Sequence, residues 1–134
     1  MKRFSTPSVR RQRGLSMIGF LLVAALVVMA AMVAMKLVPA YIEFFSVKKI
    51  LVSMSQEADF RGKSNADIRN IFSRKTSADY VSVVKADDLM IDRSSGTPVV
   101  SVDYEFRTKL IGNVSLVVDF SASSDPNAAS RQIE

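Results

Sequence analysis

Residues 15–35 read LSMIGFLLVAALVVMAAMVAM, 21 positions without a charge, and Lys36 closes the run. At a rise of 1.5 Å per residue, a helix of that length reaches about 32 Å, close to the roughly 30 Å of hydrocarbon in a bilayer. The run therefore predicts a membrane-spanning helix, bounded at residues 14–36 by Gly14 and Lys36. Everything else in the chain has to be arranged around it.

The segment before the run, residues 1–13, is short, polar and basic, and it is expected to lack fixed structure. It carries Lys2, Arg3, Arg10, Arg11 and Arg13 and no acid, while the chain as a whole has 18 Lys and Arg against 13 Asp and Glu. The net charge of +5 thus belongs to the tail, and everything from Lys36 onward sums to zero. Cations next to an apolar helix hold that side in the cytoplasm. Arg10, Arg11 and Arg13 on one side and Lys36 on the other mark the ends of the span. The expected topology is single-pass in a bacterial inner membrane, with the neutral domain in the periplasm. Anionic lipid would attract the tail by about 1 kcal/mol per cation close to the surface. Because the basic excess is confined there, nucleic acid is not the expected partner; the bilayer is. The run also exceeds the roughly 7–15 apolar residues of a cleaved secretory signal, which favours an uncleaved anchor.

Beyond the run the period of the apolar residues changes twice. Pro39 is expected to bend the helix without necessarily ending it. Phe44, Val47, Leu51, Met54 and Ala58 then recur at spacings of three and four, an amphipathic continuation of the same helix. Arg61-Gly62-Lys63 breaks the pattern. Ser64 stands three residues before Asp67, a capping-box arrangement at the head of a second short helix that ends near Thr76 and Ser77. From Leu89 the alternation is two: Leu89 and Ile91, then Val100, Val102, Tyr104 and Phe106, then Val114, Leu116, Val118 and Phe120. Ser94-Ser95-Gly96 and Ile111-Gly112-Asn113 supply the turns. One dry and one wet face per strand predicts a three-stranded antiparallel sheet covered on one side by the helices. The expected class is α+β, with one small domain over residues 37–120 and a loose tail over residues 121–134.

Residues able to do chemistry are scarce. The chain has no cysteine and no histidine, so thiolate and imidazole catalysis and the usual zinc sets are unavailable. Its five glycines are dispersed and form no phosphate loop. Asp103 and Glu105 fall on the polar side of a strand, where a solvated surface accounts for them. Asp87 and Asp88 lack the further oxygen ligands that a cation site needs. No catalytic residue, cofactor, metal or small-molecule substrate is expected, and the protein is read as a non-enzyme. Tyr41, Phe44 and Phe45 lie where a membrane interface would fall, as interfacial anchors or as contacts for a partner.

Two resemblances add to this. The string Arg13-Gly14-Leu15-Ser16-Met17-Ile18-Gly19-Phe20 resembles the leader of type IV pilins and type II secretion pseudopilins, a short basic segment ending in glycine ahead of an apolar helix. That resemblance implies processing between Gly14 and Leu15, a pilin-like architecture of long helix and small antiparallel sheet, and pilus-type assembly components as partners. Pilins carry glutamate at the fifth mature position, and here that position is Gly19. A second resemblance covers Gly14 to Gly19, Leu37 to Lys48, Val100 to Glu105 and Gly112 to Val114. These stretches are similar to an uncharacterised bacterial family of short single-pass membrane proteins, often encoded beside signal peptidase I and ribonuclease III. It implies a scaffold or regulator of an envelope or protein-export complex, with signal peptidase I as a candidate partner. The two readings, anchored regulator and processed filament subunit, stay open at this point.

Overall fold

Ser16 starts the first element by accepting a hydrogen bond from the Gly19 backbone N–H at 3.2 Å, and α1 then runs unbroken over Met17–Ser55. The computed structural model describes residues 16–127, so the basic tail with Arg10, Arg11 and Arg13, the Gly14–Leu15 site and residues 128–134 lie outside the described residues. At 39 residues α1 is about 58 Å long. It is long and apolar enough to cross a membrane, and none of its most apolar 18-residue window is buried within the protein. Its outer half is buried along one stripe, Ala40, Val47, Ile50, Leu51 and Met54. Pro39 sits inside the helix and does not end it.

The stripe foreseen as far as Ala58 stops earlier. α1 ends at Ser55, and a short turn of 3-10 helix over Phe60–Gly62 follows. Leaving α1 there lets the chain turn the Phe60 ring into the core, where it is 1% exposed. The second helix, α2 (Asn65–Ala78), begins with the foreseen capping box. Ser64 Oγ accepts from the Asp67 backbone N–H at 3.2 Å, and Asp67 Oδ2 accepts from the Ser64 N–H at 3.3 Å and its hydroxyl at 2.7 Å. These bonds hold the Asp67 carboxyl below its ordinary value of 3.8. The contribution of the charged cap is therefore present above that ordinary value and is lost as pH falls through the lowered one. Ser64→Ala is expected to cost about 1 kcal/mol in denaturant unfolding. It should also let Asp67 titrate nearer its ordinary value, which carboxyl NMR would read.

Three strands complete the domain: β1 (Met90–Asp92), β2 (Val99–Ile111) and β3 (Val114–Ser123), antiparallel and in the order β1-β2-β3. β1 covers only Val99 to Ser101 of β2, so most of the long β2–β3 hairpin is a two-stranded ribbon. The core joins Val47, Ile50, Leu51 and Met54 of α1 to Ile68 and Phe72 of α2 and to Val100, Val102 and Ala122 of the hairpin. Glu57 ties the helices further, with its carboxylate 3.2 Å from Lys75 and 3.8 Å from Lys63.

The α+β layout foreseen from the sequence is the one found. One boundary needs correction. Residues 121–124, assigned to a loose tail, belong to the fold. β3 extends to Ser123, Ala122 and Ser124 are buried, and Ser124 exchanges two bonds with the Val100 backbone at 2.8 and 3.0 Å. A Ser-Ala-Ser-Ser string has low strand preference by itself, and pairing with Val102 and Val100 overrides it.

Candidate functional site: the seam between helix and hairpin

Charge is unexpected on a helix face that packs against a sheet, and α1 places two charges there. Lys36, Ala40, Glu43 and Val47 are spaced by four, three and four, which puts them along one face. Lys36 is half-buried and its Nζ donates to the Lys109 backbone carbonyl near the far end of β2. Glu43 has one carboxylate oxygen buried with no hydrogen-bond partner among the described residues, and so has the Tyr104 hydroxyl.

Four aromatic rings close the seam around these groups. Phe120 of β3 is the hub. It stacks on Phe44 at 5.0 Å and 26°, and on its cross-strand neighbour Tyr104 at 5.4 Å and 30°. Tyr41 meets it edge-on at 5.2 Å and 87°. Contacts of this kind contribute about 0.5–1.5 kcal/mol each beyond area burial, so the cluster fixes helix and hairpin together.

Enclosure has a measurable effect on Tyr104. Burial, and secondarily the Glu43 carboxylate, push its phenol from 10.0 up to about 12. A spectroscopic titration at 295 nm should show one tyrosine ionising near pH 12 that is missing in Tyr104→Phe. Between pH 10 and about 12 the unfolded chain releases a proton that the folded chain retains, so the native state loses stability as pH rises through that window. Tyr104→Phe should flatten this part of the stability profile, and Glu43→Gln should bring the late ionisation part of the way back.

Tyr41, Phe44 and Phe45, singled out from the sequence, do not act alike. Phe44 is half-buried against Phe120, and Tyr41 is 44% exposed with one edge in the cluster. Phe45 is 61% exposed and touches only the flank of Phe44 among the described rings, at 5.6 Å. Together with Val38 and Ile42, the exposed Tyr41 and Phe45 make a second apolar stripe, which touches the hairpin only through the edge of Tyr41 among the described rings. Lys36 marks the end of the uncharged run as foreseen and also binds the hairpin, a role the sequence did not announce. Glu43, Tyr104 and Phe120 were not singled out as site residues. A carboxylate in step with Ala40 and Val47 was the available signal.

The rungs Asp103 with Ser121, Tyr104 with Phe120 and Glu105 with Asp119 line an open cavity of about 460 Å³. Its acids are spread along the strands. Asp103 is engaged by the Ser121 hydroxyl, and Glu105 lies 3.2 Å from Arg107. Among the described residues no three acidic side chains converge as metal ligands would.

No curated protein and no solved structure matches the chain. A family model does match, over residues 36–120, and its first residue is the lysine that closes the uncharged run. The seam and nearly all of the core and sheet fall inside the matched range, and on that ground the chain belongs to the family described as Domain of unknown function (DUF4845).

Proposed function

We propose that this protein is a non-enzymatic, single-pass inner-membrane protein that contacts a membrane-protein partner through the outward stripe of α1, as scaffold or regulator of an envelope or protein-export complex. The basic tail is cytoplasmic and the α+β domain periplasmic. The supporting observation is the distribution of exposed apolar surface along one continuous helix. Met17 to Met35 is bare, as a lipid-embedded segment would be. The exposed stripe Val38, Tyr41, Ile42 and Phe45 then continues past Lys36. Phe45 lies about 14 Å beyond Lys36 along the axis. The headgroup layer on each side of the hydrocarbon is only roughly 5–8 Å deep. Lipid therefore accounts for the near end of the stripe, and a protein surface for the far end. Signal peptidase I is the first partner to test, on the family resemblance given above.

A photocrosslinking residue at Phe45, in membranes from cells making the full chain, is expected to give a discrete protein adduct. The same residue at the exposed Ser95 should give none. Absence of any adduct at Phe45, with the protein membrane-bound, would remove the partner from this reading.

The second reading is a pilin-like subunit, cut between Gly14 and Leu15. It is favoured by the unbroken passage from an apolar helix into a domain with an antiparallel sheet. The space at Gly19 is compatible with a side chain, since an added Cβ would meet only Ser16 Oγ at 3.7 Å. The intact mass of protein extracted from membranes separates the two: a start at Leu15 supports processing, a start at Met1 supports the anchor.

A further inference from the structure

Two contacts fix the direction in which the hairpin runs along α1. Phe120, opposite Tyr104, packs on Tyr41 and Phe44. Lys109, five residues farther along β2, gives its carbonyl to Lys36. Travel toward the tip of the hairpin is therefore travel toward the bare, apolar half of α1. Two further residues at about 3.3 Å each carry Ile111 roughly 7 Å past Lys109. That places the tip level with the last uncharged turn before Lys36.

The chemistry of the tip suits that position. Ile111 pairs with Val114 across Gly112-Asn113, and they are 58% and 60% exposed. Gly112 has φ +53 while Asn113 does not adopt positive φ, the pattern of a type II′ hairpin turn. A register shift at Leu110 adds a residue to β2 just before the turn, which bends the strand end. From Thr108 to Val118 the sequence has no acid. Arg107 and Lys109 are exposed behind the tip, and the acids Asp103, Glu105 and Asp119 lie farther back. An apolar point, then cations, then acids is the order favoured at an anionic bilayer surface.

We infer that the tip Ile111-Gly112-Asn113-Val114 inserts into the bilayer at the boundary of headgroups and hydrocarbon, beside the end of the spanning helix, giving the domain a second contact with lipid. This rests on the membrane reading of α1 proposed above. With two separated contacts, the domain is held at a fixed tilt to the surface instead of swinging about a single helix.

The chain has no cysteine, so single cysteines can be labelled cleanly. The full chain is reconstituted in vesicles of phosphatidylethanolamine and phosphatidylglycerol with a bimane label on Asn113→Cys, Val27→Cys or Ser95→Cys. Quenching by lipids carrying a nitroxide near the headgroup is then compared with quenching by a water-soluble quencher. Val27→Cys reports the span, and Ser95→Cys reports the turn at the opposite end of β2. The expected result is severalfold stronger lipid quenching at position 113 than at 95, abolished when Ile111→Ser and Val114→Ser are added. Equal, water-dominated quenching at 113 and 95, with position 27 in lipid, overturns the inference and leaves the span standing. Water-dominated quenching at position 27 as well overturns both.

Discussion

Phe72→Ala is expected to remove a large share of the domain's stability. The ring is fully buried, in a cluster with Leu51, Met54 and Ile68 that joins both helices to the sheet. Removing a buried phenylalanine costs about 3–5 kcal/mol, the lost transfer energy plus the cavity left behind. Small domains have only roughly 5–15 kcal/mol in hand. Surrounding atoms have little freedom to collapse into the space, because α2 is held at its start by the Ser64 cap and in its last turn by the Lys75–Glu57 pair. Denaturant unfolding of the full chain in detergent, followed by near-UV circular dichroism of its tyrosines, measures the loss. Met90→Ala, at a 53% exposed position of β1, serves as comparison and should stay within about 0.5 kcal/mol of the parent. A Phe72→Ala midpoint indistinguishable from that of Met90→Ala would show that the core does not close around α2.

The second large effect concerns the bare half of α1. Leu26 is 64% exposed and lies near the middle of the uncharged run. On the membrane reading, Leu26→Arg exchanges one of the most favourable residues at a helix centre for one of the least, at about 3 kcal/mol or slightly more. Membrane integration should drop sharply, with the variant released by alkaline carbonate or degraded, while Leu26→Ala remains in the membrane fraction. In a soluble protein an exposed leucine could become arginine with little consequence. Wild-type levels of carbonate-resistant Leu26→Arg would therefore be incompatible with a span centred there.

The two substitutions also show which parts of the fold the amino-acid order discloses. α1 is legible because an uninterrupted apolar run followed by three-and-four spacing has no other economical reading, and α2 because Ser64 and Asp67 make a cap within four residues. The ribbon of β2 and β3 is legible from the alternation of Val100 to Arg107 and of Val114 to Phe120, broken at Val117, about the Gly112-Asn113 turn. Local signals run out where one element meets another. Nothing near Glu43 says that Tyr104, some sixty positions away, will lie opposite it, and nothing near Lys36 says that it will reach the Lys109 carbonyl. Both follow from the register between a helix rising about 1.5 Å and strands rising about 3.3 Å per residue, which is set only when the core closes. Residues 121–124 were misjudged for a related reason: small polar residues read as loop until a partner strand supplies their hydrogen bonds.

On the membrane reading, Pro39 limits how deep the helix can sink. Lacking an amide hydrogen, it cannot donate to the Met35 carbonyl one turn earlier, so that oxygen is left short of its usual helical donor. In hydrocarbon such an orphan acceptor costs several kcal/mol, whereas at the waterline a solvent molecule satisfies it. On that reading the imino acid works as a depth stop: sinking the rod would carry the orphan oxygen into the oil, together with Lys36 and the polar seam.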